Sequence, residues 1–468
     1  MKIEQIYTGC LAQGAYYIES AGEAAIIDPL RESQPYIEKA GQAKIKYIFE
    51  THFHADFVSG HVSLAEKTGA SIVFGPLADT AFTSITAKDG QEFEVGKVKI
   101  KVLHTPGHTA ESSTFLLINE EGEEHAIFTG DTLFIGDVGR PDLAVKSDLT
   151  AEDLAGMLYE SLRNKIMPLP DHILVYPAHG AGSACGKNMS KETYDLLGHQ
   201  KQVNYALRAD MTKEEFVAAV THGLPAAPQY FPKNVALNKG GYEDLERVML
   251  RGNIALNPAD FLLKAQATNA LTLDTRAPQR FKDGHIPNSI NIGIDGGFAP
   301  WVGALILDLK QPILIVAEEG RSEEIITRLS RVGYDQTIGY LEGGIDAWKA
   351  AGQTIQTITS ISATEFSELL TATESVLDVR KTGEYLSEHI DLEGVISAPL
   401  DTINDWWPTL DKNKTYYVHC AGGYRSMITA SILKSRGIDR IIDIAGGFKA
   451  IKATNVPKTT AVCPSTLR

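Results

Sequence analysis

The second half of this 468-residue chain repeats itself, and the repeat decides how that half can fold. Leu273-Asp274-Thr275-Arg276 recurs as Leu377-Asp378-Val379-Arg380, and Glu342-Gly343-Gly344-Ile345-Asp346-Ala347-Trp348 recurs loosely as Ala445-Gly446-Gly447-Phe448-Lys449-Ala450. Solenoid repeats run about 20–50 residues, so a repeat this long means two domains of one α/β fold. With one further domain ahead of them, the count agrees with the roughly 150 residues per domain that length suggests. The boundaries read as 1–245, 256–354 and 358–460, with breaks near Asn257-Pro258 and in the Gln- and Thr-rich stretch 352–360.

Residues 1–245 alternate short apolar runs with turn signals. Ala24–Asp28, Ile45–Phe49, Val98–Val102, Thr114–Ile118, Ala126–Phe128 and Ile173–Tyr176 read as strands, and Val58–Thr68 as a helix. Every metal-type residue follows a strand: His52 in Thr51-His52-Phe53-His54-Ala55-Asp56-Phe57, His108 in Thr105-Pro106-Gly107-His108-Thr109, Asp131 in Thr129-Gly130-Asp131-Thr132, and His179 in Tyr176-Pro177-Ala178-His179-Gly180. Ligands gathered at strand ends from distant positions imply one rigid site at a sheet edge. Coordination chemistry allows two mononuclear sets. His52, His54 and His108 would suit zinc; His52, His108 and Asp131 would make a two-histidine, one-carboxylate face suited to ferrous iron and oxygen.

The four motifs, in that order, resemble the metallo-β-lactamase superfamily, whose opening run is H-x-H-x-D-H. The resemblance implies an αβ/βα four-layer sandwich with the site at the edge of its two sheets. The last histidine of the run is replaced by Phe57, which cannot ligate, so a two-zinc hydrolase site is not expected. The stretch Thr129–Asp142, with His54-Ala55-Asp56, is similar to the persulfide dioxygenase branch. That resemblance implies one Fe(II) per chain on His52, His108 and Asp131. His54, Asp56 and His179 would then stand behind the ligands, and Arg140 and Cys185 become candidates for substrate binding. The run Gly180–Lys187 departs from the aspartate and aromatic residue usual in the glutathione-using members, which leaves the thiol carrier open among glutathione, coenzyme A and others.

Near the other end, Tyr416-Tyr417-Val418-His419 leads into Cys420-Ala421-Gly422-Gly423-Tyr424-Arg425-Ser426 and then an apolar helix. Glycines let backbone N–H groups curl toward the sulfur, and with the helix N-terminus and Arg425 they favour a thiolate. This loop, with Asp378, Arg380 and Gly446-Gly447, resembles the rhodanese family, which implies parallel-sheet α/β domains and sulfane-sulfur transfer through Cys420, aided by Arg425, Gly422 and Gly423. The preceding copy resembles a rhodanese without its cysteine. Aligning Arg321-Ser322 on Arg425-Ser426 puts Val316 opposite Cys420, so that copy is expected to be inactive.

The domain order is similar to bacterial fusions of a persulfide dioxygenase with an inactive and an active rhodanese. This implies an enzyme of sulfide detoxification. It would oxidise low-molecular-weight thiol persulfides with O2 to sulfite, and form or use thiosulfate through a Cys420 persulfide. Two alternatives carry different expectations: a zinc-dependent thioester or lactone hydrolase fused to a sulfurtransferase, and a non-catalytic sulfur carrier. The formal net charge of −15 argues against nucleic acid or an anionic membrane as partner. No membrane-length apolar run or signal peptide is visible, and four cysteines in this length are no disulfide framework, so a reducing cytoplasm and a homo-oligomer are the expectation. No motif surrounds Cys10 or Cys463.

Overall fold

The computed structural model describes residues 1–144, 149–224, 226–370 and 375–462. Cys463 lies outside them. The chain divides into two compact units, one formed by Met1–Leu245 with Ser330–Gly333, the other by the remainder from Glu246. Among the described residues no helix is long and apolar enough to cross a membrane.

The first unit contains two six-stranded sheets. One runs in chain order through β1 (Lys2–Thr8), β2 (Gln13–Ser20), β3 (Glu23–Ile27), β4 (Lys44–Glu50), β5 (Ser71–Phe74) and β6 (Ile85–Thr86). The other holds β7 (Glu92–Val95), β8 (Val98–His104), β9 (Ser113–Ile118), β10 (Glu124–Gly130), β11 (Leu174–Pro177) and β12 (Asp195–Leu196). Side chains alternate across each strand, and inner strands such as β3 and β9 carry buried apolar residues on both faces, so both faces must be covered. Ile27, Phe49 and Val73 of the first sheet meet Phe93, Ile100, Phe115, Leu117 and Phe128 of the second in one core. Their neighbours point the other way: Ile26 and Ile48 pack with Tyr36 and Leu64 of helices, and Leu116, Ile127 and Val175 with Leu158, Leu162 and Phe216. Helix, sheet, sheet, helix is the four-layer sandwich expected. Burying each large aromatic of the central layer contributes about 1.5–3 kcal/mol, so the sheets hold their strand ends firmly.

Those ends carry the site. β3, β4, β8, β10 and β11 lead into Asp28, His52, the His108 turn, Asp131 and His179 respectively. Backbone bonds tie the ends together: Ser113 N–H donates to Thr51 O at 2.9 Å and Ala178 N–H to Gly130 O at 3.0 Å. The helix expected over Val58–Thr68 starts at His61.

The second unit holds two five-stranded sheets of parallel strands. The first comprises β13 (Ala255–Leu256), β14 (Leu271–Asp274), β15 (Ile290–Asn291), β16 (Ile313–Val316) and β17 (Thr337–Leu341), ordered β13-β17-β16-β14-β15. The second comprises β18 (Thr359–Ile361), β19 (Ser375–Asp378), β20 (Val395–Ser397), β21 (Tyr416–His419) and β22 (Ile441–Ile444), ordered β18-β22-β21-β19-β20. The identical order is the structural face of the repeat. Register corrects one alignment. Asp274 lies beside Val316, whereas Asp378 lies beside His419. Ala317, not Val316, therefore occupies the place of Cys420, because the loop before Arg321-Ser322 is one residue shorter than that before Arg425-Ser426.

Candidate active sites

A buried carboxylate clamp shapes the metal loop. Asp28, in the left-handed region at φ 49°, accepts from Thr51 N–H and from the Thr51 hydroxyl, both at 2.8 Å. Because that hydroxyl spends its proton on Asp28, it receives the Nδ1–H of His52 at 3.0 Å. The tautomer is thereby set, and His52 Nε2 is left with a lone pair directed toward Asp131, 3.9 Å away. His108 repeats the device: its Nδ1–H donates to Arg140 O at 2.8 Å, and its Nε2 lies 3.4 Å from Asp131 Oδ2. His179 Nδ1–H donates to Ala12 O at 3.2 Å, with Nε2 near Asp56 and Asp131. Burial, and the neighbouring His54, His108 and His179, hold His52 well below the ordinary imidazole range, so it stays neutral and able to ligate.

His54 is arranged differently. Its Nε2 lies 3.1 Å from Asp28 Oδ1 and 3.6 Å from Glu50 Oε2, and its ring packs on Phe57 with centroids 4.3 Å apart. Burial alone would lower its pKa, but Asp28, Glu50 and Asp56 outweigh that and push it up to about 9. A protonated His54 held by carboxylates is a poor ligand for a cation. Phe57 is fully buried.

Ligand atoms of His52, His108 and Asp131 lie within 4.8 Å of one another, as do those of His54, Asp56 and His179 and those of Asp131, His179 and Cys185. Both carboxylate oxygens of Asp131 and the Nε2 of His179 are buried without a hydrogen-bond partner. An uncompensated buried carboxylate costs several kcal/mol, and a divalent cation on His52, His108 and Asp131 removes that cost. The donor set fits a metal. Close packing guards it: a Cβ at Gly139 would stand 2.0 Å from Asp131 O, and one at Gly130, whose φ is 53°, 2.6 Å from the Thr51 side chain.

Arg140 is buried and bidentate with Asp142, both bonds 2.6 Å, and its guanidinium also reaches Ala184 O at 3.5 Å. Its carbonyl is the group that orients His108. Cys185 is buried beside Asp131 and His179, and burial with Asp56 and Asp131 raises its pKa well above the usual thiol range. Its ionisation is thus disfavoured by these neighbours. Asn238 was not legible as a site residue. From the helix Phe231–Gly240 its amide donates to His54 O and Phe57 O at 2.8 Å and accepts from Ser59 N–H at 2.9 Å, clamping the metal loop.

In the second unit one backbone N–H of the cysteine loop reaches the sulfur. Gly423, in the left-handed region at φ 105°, donates its N–H to Cys420 Sγ at 3.1 Å. Cys420 O accepts from Phe448 N–H at 2.6 Å, and a Cβ on Gly447 would come within 2.3 Å of that oxygen, so the Gly446-Gly447 turn braces the loop. Arg425 is fixed by a bidentate pair with Glu384 at 2.6 and 2.8 Å. Tyr424 reaches into the first copy, donating to Gly293 O at 2.7 Å. In that copy Arg321 is likewise held, by Asp295 and Glu324.

Residues 8–179 match the model of the Metallo-beta-lactamase superfamily, and residues 257–351 and 362–454 match that of the Rhodanese-like domain. A solved metallo-beta-lactamase from Staphylococcus aureus subsp. aureus COL is 32% identical, with a TM-score of 0.64 over 73% of this chain and 98% of that one. The chain belongs to the metallo-β-lactamase superfamily. Behind its metallo-β-lactamase domain it carries two rhodanese-like domains. Curated relatives include the cytoplasmic hydroxyacylglutathione hydrolase of Arabidopsis thaliana, 33% identical over 38% of this chain and 67% of the relative. Another is the hydroxyacylglutathione hydrolase of Brucella anthropi, 38% identical over 29% of this chain and 47% of the relative. The chain thus spans about half to two thirds of the length of those proteins.

Proposed function

We propose that the metallo-β-lactamase domain is a mononuclear iron persulfide dioxygenase and that the last domain is its sulfurtransferase, working in a cytoplasm on low-molecular-weight thiol persulfides. One observation carries the reading. His52 and His108 each spend Nδ1–H on a fixed oxygen and leave Nε2 facing Asp131, while His54 is bound to carboxylates and Phe57 fills the place of a further ligand. Two histidines and a carboxylate on one face leave positions for oxygen and substrate, the pattern of ferrous oxygenases.

Ferrous iron, when bound, would supply the means to activate O2 next to the substrate sulfur. The balance is RSSH + O2 + H2O giving RSH, sulfite and two protons. The chain's own part is to orient the ligands through Thr51 and the Arg140 carbonyl. The ligand side chains His52, His108 and Asp131 are themselves buried. Arg140 would act through His108, and the Cys185 thiol would face the arriving persulfide. Cys420 thiolate would take the outer sulfur of a persulfide, releasing RSH. Sulfite would then attack that sulfur, displacing Cys420 thiolate and giving thiosulfate. Gly423 N–H, and Gly422 beside it, would steady the anion on the loop. Anaerobic reconstitution tests the assignment: one ferrous ion per chain and sulfite formed from a persulfide support it, and iron-loaded protein that makes no sulfite overturns it.

A second reading has its own observation. His54, Asp56 and His179 could hold another ion, and the curated relatives are named hydroxyacylglutathione hydrolases. It predicts two zinc ions per chain and hydrolysis of glutathione thioesters.

A further inference from the structure

We propose that Ser426 and Asp443 form a proton relay serving Cys420. The inference rests on the reading of Cys420 as the sulfur-carrying thiol and adds where its proton goes. Cys420 Sγ lies 3.7 Å from Ser426 Oγ, and Ser426 Oγ donates to Asp443 Oδ1 at 2.7 Å. The other carboxylate oxygen accepts from Ser360 at 2.9 Å. All three members are buried, Cys420 at 1% exposure, Ser426 at 0% and Asp443 at 4%. Cys420 therefore has little bulk water to take its proton, whereas a carboxylate stands one hydroxyl away.

Nothing in the strand calls for a carboxylate there. Asp443 interrupts Ile441-Ile442-Asp443-Ile444, an apolar run in the middle of a parallel sheet, and an acid in that place costs stability unless it has work or partners. The first copy provides an internal comparison. Val418 lies beside Asp443, and its counterpart Ile315 lies beside Tyr340. Ser322, which stands where Ser426 does, donates instead to Asn253 at 2.7 Å. The copy with Ala317 in place of the cysteine lacks the carboxylate and turns the serine elsewhere. Cysteine and aspartate are present together or replaced together, and the serine between them keeps its identity but changes its partner.

The transfer conserves atoms and charge. As the Cys420 thiol ionises, its proton passes to Ser426 Oγ while the Ser426 proton passes to Asp443 Oδ1. The result is a thiolate, an unchanged serine and a neutral carboxyl group. When sulfite removes the outer sulfur and leaves Cys420 as thiolate, the same protons return. Burial raises the Asp443 carboxyl above its usual range, which brings it toward the thiol and makes the exchange less uphill. Other charges face the cluster. Lys282 of the first copy acts on Asp443, Cys420 and Asp378 both act on Arg425, Glu384 holds Arg425, and Arg380 and His419 flank Asp378.

Asp443 is a positioning residue, acting through Ser426, and its test reads the thiolate directly. Ultraviolet absorbance of the Cys420 thiolate is followed against pH in the full chain, each variant being corrected by its own partner with Cys420→Ser. Asp443→Asn removes the anion and lets the amide donate to Ser426, whose hydroxyl is freed for the sulfur. The thiolate midpoint should fall by about one pH unit, a tenfold change in the thiolate-to-thiol ratio. In a Ser426→Ala background the same substitution should move the midpoint by no more than about a third as much, because the connection is cut. An unmoved midpoint, or an equal shift in both backgrounds, overturns the relay. Should Asp443→Asn fail to fold, Ser360→Ala weakens the carboxylate's other support and should shift the midpoint in the same direction by less; no shift or an upward one overturns the relay. No sulfur donor is present in the titration, so its outcome is separate from whether sulfur transfer itself is observed.

Discussion

Removing the Thr51 hydroxyl should weaken both the fold and the metal site, by amounts the structure sets. In Thr51→Val the methyl takes the place of an oxygen that donates to Asp28 Oδ2 and accepts from His52 Nδ1. The backbone bond to Asp28 Oδ1 survives, so the carboxylate loses one of two partners from this residue. A hydrogen bond to a charged group contributes about 1.5–3 kcal/mol, and urea unfolding of the metal-free protein should show a loss of that order. His52 loses the oxygen that kept its proton on Nδ1. Groups that orient a metal-bound histidine in this way are worth about 10–100-fold in metal affinity. Chelator competition with ferrous iron under anaerobic conditions measures it, and Thr51→Ser should restore most of the loss. An affinity unchanged in Thr51→Val, with the stability loss present, would refute the claim that this hydroxyl sets the His52 tautomer.

Asp131→Ala should abolish iron binding, read by metal analysis, and with it persulfide-dependent oxygen uptake; retained uptake would remove Asp131 from the ligand set. Cys420→Ser should end thiosulfate formation while leaving oxygen uptake in place, and loss of both would show that the two reactions are coupled. Phe57→His places an imidazole where the Phe57 ring packs against His54 and should raise the bound metal from one ion per chain to two; one ion would show that Phe57 does not control stoichiometry. His285 is pressed on Phe281, ring centroids 4.0 Å apart, and burial lowers its pKa to about 4. Below about 6.5 the unfolded chain binds a proton that the folded chain refuses, so the second unit should lose on the order of 1–2 kcal/mol between pH 6.5 and 5. His285→Gln should flatten that slope in urea melts, and an unchanged slope would assign it elsewhere.

The fold was readable wherever a pattern repeated. Strand runs such as Ile45–Phe49 and Thr114–Ile118 appear within a residue or two of their places. The doubled LDxR and GG signals correspond to two sheets of identical strand order. The metal candidates were readable because His52, His108 and Asp131 each follow a strand, and strand ends converge in a sandwich. What the sequence could not reveal depends on contacts between distant segments. Asn238 is one asparagine in an ordinary helix until its amide is seen on the backbone of the metal loop. Arg140, read as a substrate-binding candidate, makes a bidentate pair with Asp142 that spacing alone does not reveal. Asp443 stands in an apolar run, and its partners Ser360 and Ser426 come from a neighbouring strand and a neighbouring helix. The one-residue error at Val316 came from aligning the loop on its arginine, when the shorter loop shifts the strand end to Ala317.

Oxygen consumption decides whether the metal site is a dioxygenase. Anaerobically purified protein, loaded with one equivalent of ferrous iron, is given a small-thiol persulfide in an oxygen-electrode cell. The account predicts prompt uptake of one O2 per persulfide with sulfite as product. No uptake with iron verified in place, in a series that includes glutathione and coenzyme A persulfides, together with thioester hydrolysis by the zinc-loaded protein, would contradict it.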